Sequence, residues 1–559
     1  MRKLPAALFL LVISAPALAR QAPAKFDWFE YRGNDGLPKP GPGQYANPIL
    51  QGFYPDPSIV RVGRDYYLVN STFAWFPGMP IFHSRDLVHW TQIGNAIDRP
   101  GQLDLSKTNM GLGLYAPDIS FHDGKFYILN TCVACGGNFV ITAKRPEGPW
   151  SDPVWLPDVN GIDTSLFFDD DGSAWIVHNG PPPEKPKYEG HTAIWLQQFD
   201  PKSMKTFGKA EVLVDQGTHP ERNPIWIEGP HIFKKDGFYY LIAAEGGTAD
   251  QHSEVVFRSD KVTGPYVPLE SNPILTQRDL PADRANPITS TGHAKFVDTP
   301  EGEWWAVFLG VRPYDSAGNF NTGRETFMMP VRWNDRWPRV TEPGQRVPWT
   351  ASGPKLPPQG KAPMPTNGDF AMREEFNSPK LAPYWMQLRN PSGHWWRIAN
   401  GALELDARTA AIADEGNPSL LARRQQHQNA TATTALHFQP SSDAAEAGIV
   451  AYQNDAHWYF IGIGSDRGKR VVRVRRRNND AADGTIIGQA ILPASAGSPI
   501  QLRISAHGAL YDFAWSADGR RWRTLVKGAD GTILGTQKAG GFVGAVFGLY
   551  AHDGSKARK

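Results

Sequence analysis

The chain has 559 residues, of which 20% are charged, and a formal net charge of +2. This length exceeds one ordinary domain, and so small a net charge argues against a polyanion such as nucleic acid as the main partner. Glycine (55), proline (48) and tryptophan (19) are abundant, a composition that favours short strands and turns over helices.

The N-terminal stretch "MRKLPAALFLLVISAPALA" predicts export. It has a basic start, an apolar run and an ending in small residues. This is the pattern of a secretory signal peptide over residues 1–19, and the apolar run is too short to span a bilayer. We expect a periplasmic or extracellular protein with no membrane span, in which residues 20–44 are an N-terminal extension.

Five segments of the chain repeat one pattern. Each has a polar residue, an apolar strand, a tight turn that usually contains Asp-Gly, and an aromatic-rich strand, which together predict a β-hairpin. The segments are "PDPSIVRVGRDYYLV" from Pro55, "PDISFHDGKFYIL" from Pro117, "IDTSLFFDDDGSAWIV" from Ile162, "IEGPHIFKKDGFYYLI" from Ile227 and "TGHAKFVDTPEGEWWAV" from Thr291.

The leading polar positions of these repeats are 62, 45, 65 and 65 residues apart. Such periods predict the blades of a propeller, here a five-bladed β-propeller over residues 45–340. Because the first strand of each blade lines the central channel, the leading side chains should converge there. They are Asp56, Asp118, Asp163, Glu228 and His293.

Carboxylates gathered in one place repel one another and raise one another's pKa, which a fold tolerates mainly where function requires it. Paired carboxylates in an exported protein indicate glycoside cleavage, in which one acid protonates the leaving oxygen and another activates water or attacks carbon. Aromatic residues near the site would stack on sugar faces or pack in the core. They are Phe73, Trp75, Phe76 and Tyr115.

From about Asn47 to the C-terminus, a series of motifs resembles the family 43 glycoside hydrolases, especially their β-xylosidase and α-L-arabinofuranosidase branch. Several motifs in one order make the resemblance far more specific than any single motif. They are "NPILQGFYPDPSIV", "STFAWFPGMPIFHSRDLVHW", "YAPDISFHDGKFYIL", "GIDTSLFFDDDG", "IEGPHIFKKDGFYYLIAAEGGTADQHS", "STGHAKFV" and "GRET".

The resemblance implies an inverting enzyme in which Asp56 is the general base, Glu228 the general acid and Asp163 the residue that raises the pKa of the acid. The residues themselves agree with these roles. Pro55 and Pro57 restrict the backbone around Asp56, and the apolar residues before Glu228 disfavour its charged form.

The resemblance also implies further contacts. Arg324 of "GRET" would bind the sugar in the innermost subsite, with a surface salt bridge as the alternative, and Phe73 would form a wall of the pocket. Asp118 would be structural or touch the substrate. His293 would lie beside a calcium ion or a water cluster, or be a neutral core histidine, and no cofactor is required.

Two departures from the family pattern bear on the substrate. Tyr115 stands where the family usually has tryptophan, and "HNGPPPEKPKYEGH" follows the third hairpin, where many xylosidases of this branch place an aromatic that closes the pocket. The prediction is therefore release of terminal xylose from xylan or arabinoxylan fragments, with an α-L-arabinofuranosidase as the first alternative. A propeller that binds sugar without cleaving it is the second.

A proline-rich connector at residues 341–370 leads to a C-terminal region, residues 371–559, whose short alternating strands predict an antiparallel β-sandwich. The resemblance implies the concanavalin A-like jelly roll of this branch. It also implies that Phe542, in "KAGGFVGAVFG", reaches over the pocket opening. The alternative is that Phe542 packs inside the sandwich.

Two local features lead to separate predictions. Cys132 and Cys135 lack the second pair that a zinc site needs, so a structural or incidental pair, such as a local disulfide, is favoured over a redox site. The run "RGKRVVRVRRRNND" predicts a strand with its valines inside and a basic face in solvent, with contact to an acidic xylan as the alternative.

Overall fold

The computed structural model describes residues 21–554 apart from 482 and 494. The predicted signal peptide, residues 1–19, lies outside these residues. The described chain is almost entirely β. Three short helices occur there, two of them 3-10 turns: Pro220–Arg222, Gly531–Leu534 and Thr536–Ala539. None of the helices in this part of the chain has the length and apolarity needed to cross a membrane.

Five antiparallel sheets, here called ring sheets one to five, follow one another along the chain, and each contains one of the predicted hairpins. The first three sheets have these strands. Ring sheet one contains Ser58–Val62, Asp65–Val69, Gly78–Ser84 and Thr91–Ile97. Ring sheet two contains Gly113–Leu114, Asp118–His122, Lys125–Val133, Gly137–Ala143 and Val154–Trp155. Ring sheet three contains Ile162–Phe168, Ala174–Gly180, Ala193–Asp200 and Lys205–Asp215.

The last two ring sheets complete the circle. Ring sheet four contains Glu228–Lys235, Phe238–Glu245, Ser253–Ser259, Val267–Pro268 and Leu275–Thr276. Ring sheet five contains Thr289–Asp298, Trp304–Val311, Glu325–Asn334 and Trp337–Arg339. The first hairpin strand of each sheet, which in sheet two is Asp118–His122, contacts the first hairpin strand of the next sheet, and that of sheet five contacts that of sheet one. The five first strands therefore surround a common axis.

The C-terminal region packs two antiparallel sheets over a shared apolar core, as sandwiches do. One sheet contains Trp396–Ala399, Ala402–Leu405, Ala24–Gly33, Asn429–His437, Ile500–His507, Leu510–Ser516 and Arg523–Asp530, with Phe370–Glu374 beside Ala24–Gly33. The other contains Ser419–Arg424, Val546–His552, Glu446–Asn454, His457–Asp466, Lys469–Asn478 and Thr485–Ile491.

The N-terminal segment belongs to the sandwich, which the sequence did not predict. Strand Ala24–Gly33 pairs with Asn429–His437 on one side and with Ala402–Leu405 and Phe370–Glu374 on the other. The chain therefore begins in the sandwich, forms the ring and returns to the sandwich.

Two short strand pairs and an apolar cluster join the ring to the rest. Gln44–Ala46 pairs with Thr350–Ser352, and Trp75–Phe76 pairs with Gln387–Leu388 of the C-terminal region. Phe53, Phe73 and Trp75 of the ring are buried in one cluster with Tyr452, Trp458 and other sandwich side chains. The contact between the two parts is thus a continuous apolar core.

The basic run forms strand Lys469–Asn478, and its valines are buried as predicted. The prediction of a solvated basic face is wrong for Arg473, which is 8% exposed because it lies over Gly464 and donates to the Ser465 carbonyl. Arg475 forms an ion pair with Glu446. Neighbouring strands of the same sheet therefore cover part of the charge.

Candidate active site

Four of the five predicted channel residues meet at one end of the ring. Asp56, Asp163, Glu228 and His293 line a cavity of about 350 Å³, near the lower end of the ~300–1,000 Å³ typical of small-molecule sites. They come from the first strands of sheets one, three, four and five, or from the residues just before them. The ring thus brings residues 237 positions apart into one space, from Asp56 to His293.

Asp118 does not line this cavity. It is 1% exposed, forms an ion pair with Lys295 and accepts hydrogen bonds from Ser58 Oγ at 3.1 Å and Leu166 N at 3.0 Å. Burial alone would raise the pKa of Asp118, but the charges of Lys295 and His231 and the hydrogen bonds to the carboxylate together outweigh burial and lower that pKa. Of the two predicted roles, substrate contact and structure, the geometry supports structure.

The reason is a register difference between repeats. Ser58 and Lys295 each follow a cavity residue, Asp56 and His293, by two positions. The first hairpin strand of sheet one begins at Ser58, two residues after Asp56, whereas that of sheet two begins at Asp118 itself. Asp118 is therefore equivalent in the structure to Ser58, below the cavity, although the Pro-Asp pairs align it in sequence with Asp56.

Asp56 is held by a set of donors. Arg324 Nη1 lies 2.8 Å from Asp56 Oδ1 and Arg324 Nη2 lies 3.3 Å from Oδ2, while Ser71 Oγ donates to Oδ2 at 2.5 Å. His293 Nδ1 is 3.9 Å from Oδ1. A carboxylate has about four acceptor positions, so these bonds fix the Asp56 side chain and leave room for a water molecule.

Asp163 and Glu228 form the second part of the site. Gly229 N, next to Glu228, donates to Asp163 Oδ2 at 3.1 Å, which ties the two chain segments together. Glu228 keeps part of its surface open to the cavity. Burial of the rest, followed by the negative charge of Asp163, raises its pKa to about 8, and burial also raises the pKa of Asp163. Glu228 can therefore hold a proton at neutral pH.

The backbone of the site is unusual. Five cavity residues other than glycine have a positive φ: Asp56 (51°), Phe73 (54°), Asp163 (56°), Trp226 (49°) and His293 (55°). A non-glycine residue rarely adopts this region, and such conformations cluster at functional sites because the surrounding structure must enforce them. The fold therefore aims these side chains at a cost in stability.

An aromatic wall closes one side of the cavity. The ring centroid of Phe73 lies 5.6 Å from that of Tyr115 and 6.0 Å from that of Phe542, and Tyr115 lies 5.9 Å from Phe542. The Arg324 guanidinium lies 5.3 Å from the Phe542 ring centroid. The sandwich thus contributes Phe542 to the cavity, and Arg324 is a buried cavity residue, not part of a surface salt bridge.

The sequence patterns did not predict several cavity residues, notably Trp226, Gly247 and Thr248. Thr248 Oγ1 lies 3.2 Å from Arg324 Nη1. Trp226 stands in the stretch "PIWIEGP", among the apolar residues that precede Glu228. A tryptophan two residues before a proposed acid was the available signal.

The donor set near His293 does not favour a tightly held metal ion. Calcium takes six to eight oxygen ligands, yet no group of three or more His, Cys, Asp or Glu side chains in the described part of the chain is arranged to bind a metal, and Asp56 is engaged by Arg324. Calcium beside His293 stays a prediction.

At the far end of the second hairpin, Cys132 and Cys135 form a disulfide, the local pairing considered above.

Comparison with known proteins assigns both regions. Residues 45–338 match "Glycosyl hydrolases family 43" and residues 373–559 match the "Beta xylosidase C-terminal Concanavalin A-like domain". The "Xylosidase/arabinosidase" of Butyrivibrio fibrisolvens is 37% identical over 514 residues, covering 91% of this chain and 96% of the relative. The "Non-reducing end alpha-L-arabinofuranosidase BoGH43B" of Bacteroides ovatus is 36% identical over 520 residues, covering 92% of each.

A solved structure agrees with these matches. The crystal structure of "a GH43_12 retrieved from capybara gut metagenome" is 40% identical, with a TM-score of 0.89, and the match covers 95% of this chain and 100% of that one. Sequence and structure therefore give the same assignment along both regions. The chain belongs to glycosyl hydrolases family 43 and is a glycoside hydrolase with a C-terminal concanavalin A-like domain.

Proposed function

We propose that the protein is an exo-acting β-xylosidase that removes terminal xylose from xylo-oligosaccharides with inversion. The observation that carries the proposal is the contrast between two carboxyl groups in one cavity. Burial and Asp163 raise the pKa of Glu228 to about 8, whereas Asp56 is paired with Arg324. Opposite environments for two acids are the mark of separate acid and base roles.

The proposed reaction is a single displacement. Glu228 donates its proton to the glycosidic oxygen as the bond from that oxygen to the anomeric carbon breaks. A water molecule held by Asp56 attacks that carbon from the opposite face, and Asp56 takes the proton that the water loses. The products are the free terminal sugar with inverted configuration and the shortened chain, with Asp56 protonated and Glu228 ionised.

Three neighbours support these roles. Asp163 keeps the proton on Glu228 and orients it through the Gly229 N–H. Arg324 and Ser71 hold the Asp56 carboxylate in one position, which keeps the attacking water aligned. After turnover, Asp56 releases a proton to solvent and Glu228 takes one up, which restores the starting state.

The aromatic wall supports action on chain ends. Phe542 lies with Phe73 and Tyr115 at one side of the cavity, so a long polysaccharide could not lie across it in both directions. We infer that one terminal sugar enters and that the rest of the chain leaves through the open side.

A second candidate, α-L-arabinofuranosidase, has a specific basis. One relative reported above is named xylosidase/arabinosidase and another an arabinofuranosidase, at similar identity. Both pentoses are small enough for one cavity of about 350 Å³. The arrangement of acid and base serves either glycoside.

Parallel assays on p-nitrophenyl β-D-xyloside and p-nitrophenyl α-L-arabinofuranoside test the proposal. We expect kcat/KM to be higher on the xyloside. A higher value on the arabinofuranoside would establish the second candidate, and activity on neither would reject both and leave another glycoside as the substrate.

The ring of sheets and the N-terminus lead to two further proposals. Closure of sheet five on sheet one supports a five-bladed β-propeller, with each ring sheet as one blade. Residues 1–19 support export, and the first residue of the mature protein, found by mass spectrometry of periplasmic or culture fractions, tests that proposal.

A further inference from the structure

Trp226 is an exposed tryptophan at the edge of the catalytic cavity. Its relative exposure is 44%, and with Trp155 at 40% it is one of two tryptophans in the described part of the chain that are largely exposed. Trp155 lies on the last strand of ring sheet two, away from the cavity, whereas Trp226 lines it. An exposed apolar ring costs free energy in water, so we expect a functional reason for its exposure at the cavity.

The surrounding chain holds this ring in a fixed place. Trp226 N donates to Gly190 O at 2.7 Å. A Cβ at Gly247 would lie 2.6 Å from Trp226 Cε3, and one at Gly190 would lie 3.3 Å from Cε2. Two glycines therefore provide the space in which the ring packs. The ring is held in position although it is not buried.

The loop after the third hairpin supports the same segment. Tyr188 O–H donates to Pro224 O at 2.7 Å, and Gly190 packs against Ile225. This loop, residues 181–191, is the "PPPEKPKYEGH" stretch in which the sequence departs from the family pattern. The departure thus supports the backbone that presents Trp226.

The position of Trp226 next to the acid indicates what it binds. Glu228 is two residues further along the chain and faces the same cavity. The oxygen that Glu228 protonates joins the terminal sugar to the next one, so the leaving sugar must lie beside Glu228. An aromatic ring buries the apolar C–H face of a sugar while the hydroxyl groups stay in water.

We propose that Trp226 is the platform that binds the leaving sugar and so determines preference for oligosaccharides over glycosides with a small leaving group. This inference rests on the proposed function, since it needs a glycosidic bond at Glu228. It adds a residue that selects for the second sugar, distinct from the Phe73, Tyr115 and Phe542 wall.

The test compares two substrates with the same terminal sugar: a disaccharide such as xylobiose and the corresponding glycosyl fluoride, which has no second sugar. Trp226→Ala should lower the ratio of kcat/KM on the disaccharide to kcat/KM on the fluoride by roughly tenfold. Trp226→Phe, which keeps an aromatic face, should restore most of the ratio. Trp155→Ala is the matched control and should leave the ratio unchanged.

Each outcome is decisive. A wild-type enzyme that cleaves the disaccharide, combined with an unchanged ratio in Trp226→Ala, would overturn the platform and leave the proposed function standing. An equal loss on both substrates would mean that Trp226 acts on the terminal sugar or on the attacking water, which also overturns it. Fluoride leaves with little help from an acid, so a lowered ratio accompanied by a shift of the alkaline limb of kcat/KM to lower pH would mean that Trp226 acts through Glu228, and this too would overturn the platform. A wild-type enzyme inactive on xylose and arabinose glycosides would reject the proposed function and, with it, this inference.

Discussion

Glu228 has a raised pKa because of where the ring places it. A solvent-exposed glutamate has a pKa near 4.3, whereas burial and the neighbouring Asp163 raise the pKa of Glu228 to about 8. The same cavity holds Asp56 in a bidentate pair with Arg324. The ring thus gives two similar carboxyl groups different surroundings, which is the basis of the proposed acid and base roles.

Removal of either group should abolish most of the activity. Asp56→Asn cannot take the proton of the attacking water, and Glu228→Gln cannot donate one, so each should lower kcat by at least about 10²-fold. Measured turnover on the preferred glycoside checks this.

Two exposed positions provide the controls. Asp123→Asn, in a hairpin turn with its side chain 92% exposed, and Glu221→Gln, 65% exposed, make the same chemical changes away from the cavity. Both should keep near wild-type turnover. If Asp56→Asn or Glu228→Gln did the same while remaining folded, the assignment of acid and base would be wrong.

Asp163→Asn should shift the pH profile. The acid works only when protonated, so kcat/KM falls as the pH rises through the pKa of Glu228, near 8 in the wild type. The substitution removes the negative charge that raises this pKa, so the alkaline limb should move to lower pH. Burial, the larger cause, remains, so the limb should stay above the ordinary range of a glutamate.

The choice of asparagine isolates the charge, because its amide oxygen can still accept the hydrogen bond from Gly229 N. Asp158→Asn, an exposed change five residues earlier, should leave the profile in place. An alkaline limb unmoved in Asp163→Asn would show that Asp163 does not tune Glu228.

The loop before strand Val546–His552 makes the sandwich part of the site. Gln453 Nε2 donates to the carbonyls of Gly540 and Val543, each at 3.2 Å, and Asn454 Nδ2 donates to Ala539 O at 2.9 Å. These bonds hold the loop that carries Phe542. The sandwich therefore shapes the cavity through one anchored loop.

Phe542→Ala should weaken substrate binding more than it weakens the fold. Phe542 is only partly buried and contacts Phe73 and Tyr115 in the cavity wall, so KM should rise several-fold with a small change in melting temperature. Phe547→Ala, at a fully buried position five residues on, should cost about 3–5 kcal/mol of stability. A Phe542→Ala variant as unstable as Phe547→Ala, with unchanged KM, would make Phe542 a core residue.

The strands and the cavity residues could be predicted from the sequence where the signal was local. The Asp-Gly turns and the alternating strands each fall within a few residues, so the hairpins and the convergence of Asp56, Asp163, Glu228 and His293 could be predicted. The prediction for Asp118 was wrong because its strand begins at the aspartate of the Pro-Asp motif, whereas the strand of the first repeat begins two residues after that aspartate. The residue at which a strand begins depends on its pairing with neighbouring strands, which the motif does not contain. The fit of Trp226 between two glycines depends on loops far apart in sequence.

In the whole molecule, the ring and the sandwich are joined by buried polar contacts as well as by the apolar cluster. Arg312 Nη1 lies 2.7 Å from Asp35 Oδ2, and its Nε and Nη2 bond Glu325 of ring sheet five. Nη2 also lies 3.2 Å from the Gln426 carbonyl oxygen of the C-terminal region. One buried guanidinium thus joins the N-terminal segment, the ring and the sandwich, an arrangement without a local pattern in the sequence. The same holds for strand Ala24–Gly33, whose partners lie hundreds of residues away.

Arg312→Ala should lower the free energy of unfolding by about 3–5 kcal/mol, because it leaves two buried carboxylates unpaired. Urea unfolding followed by tryptophan fluorescence measures the change. Arg397→Ala, which breaks a half-exposed pair with Glu404, should cost at most about 1 kcal/mol. Equal losses in the two variants would mean that Arg312 does not connect the regions.

The stereochemistry of the first product tests the proposed single displacement by water between Asp56 and Glu228. Proton NMR during early turnover, before the released sugar mutarotates, identifies its anomeric form. A single displacement gives the configuration opposite to that of the substrate, so we expect α-xylose from a β-xyloside. Release of β-xylose would contradict it, because retention requires a carboxylate to attack the sugar carbon and form a covalent intermediate.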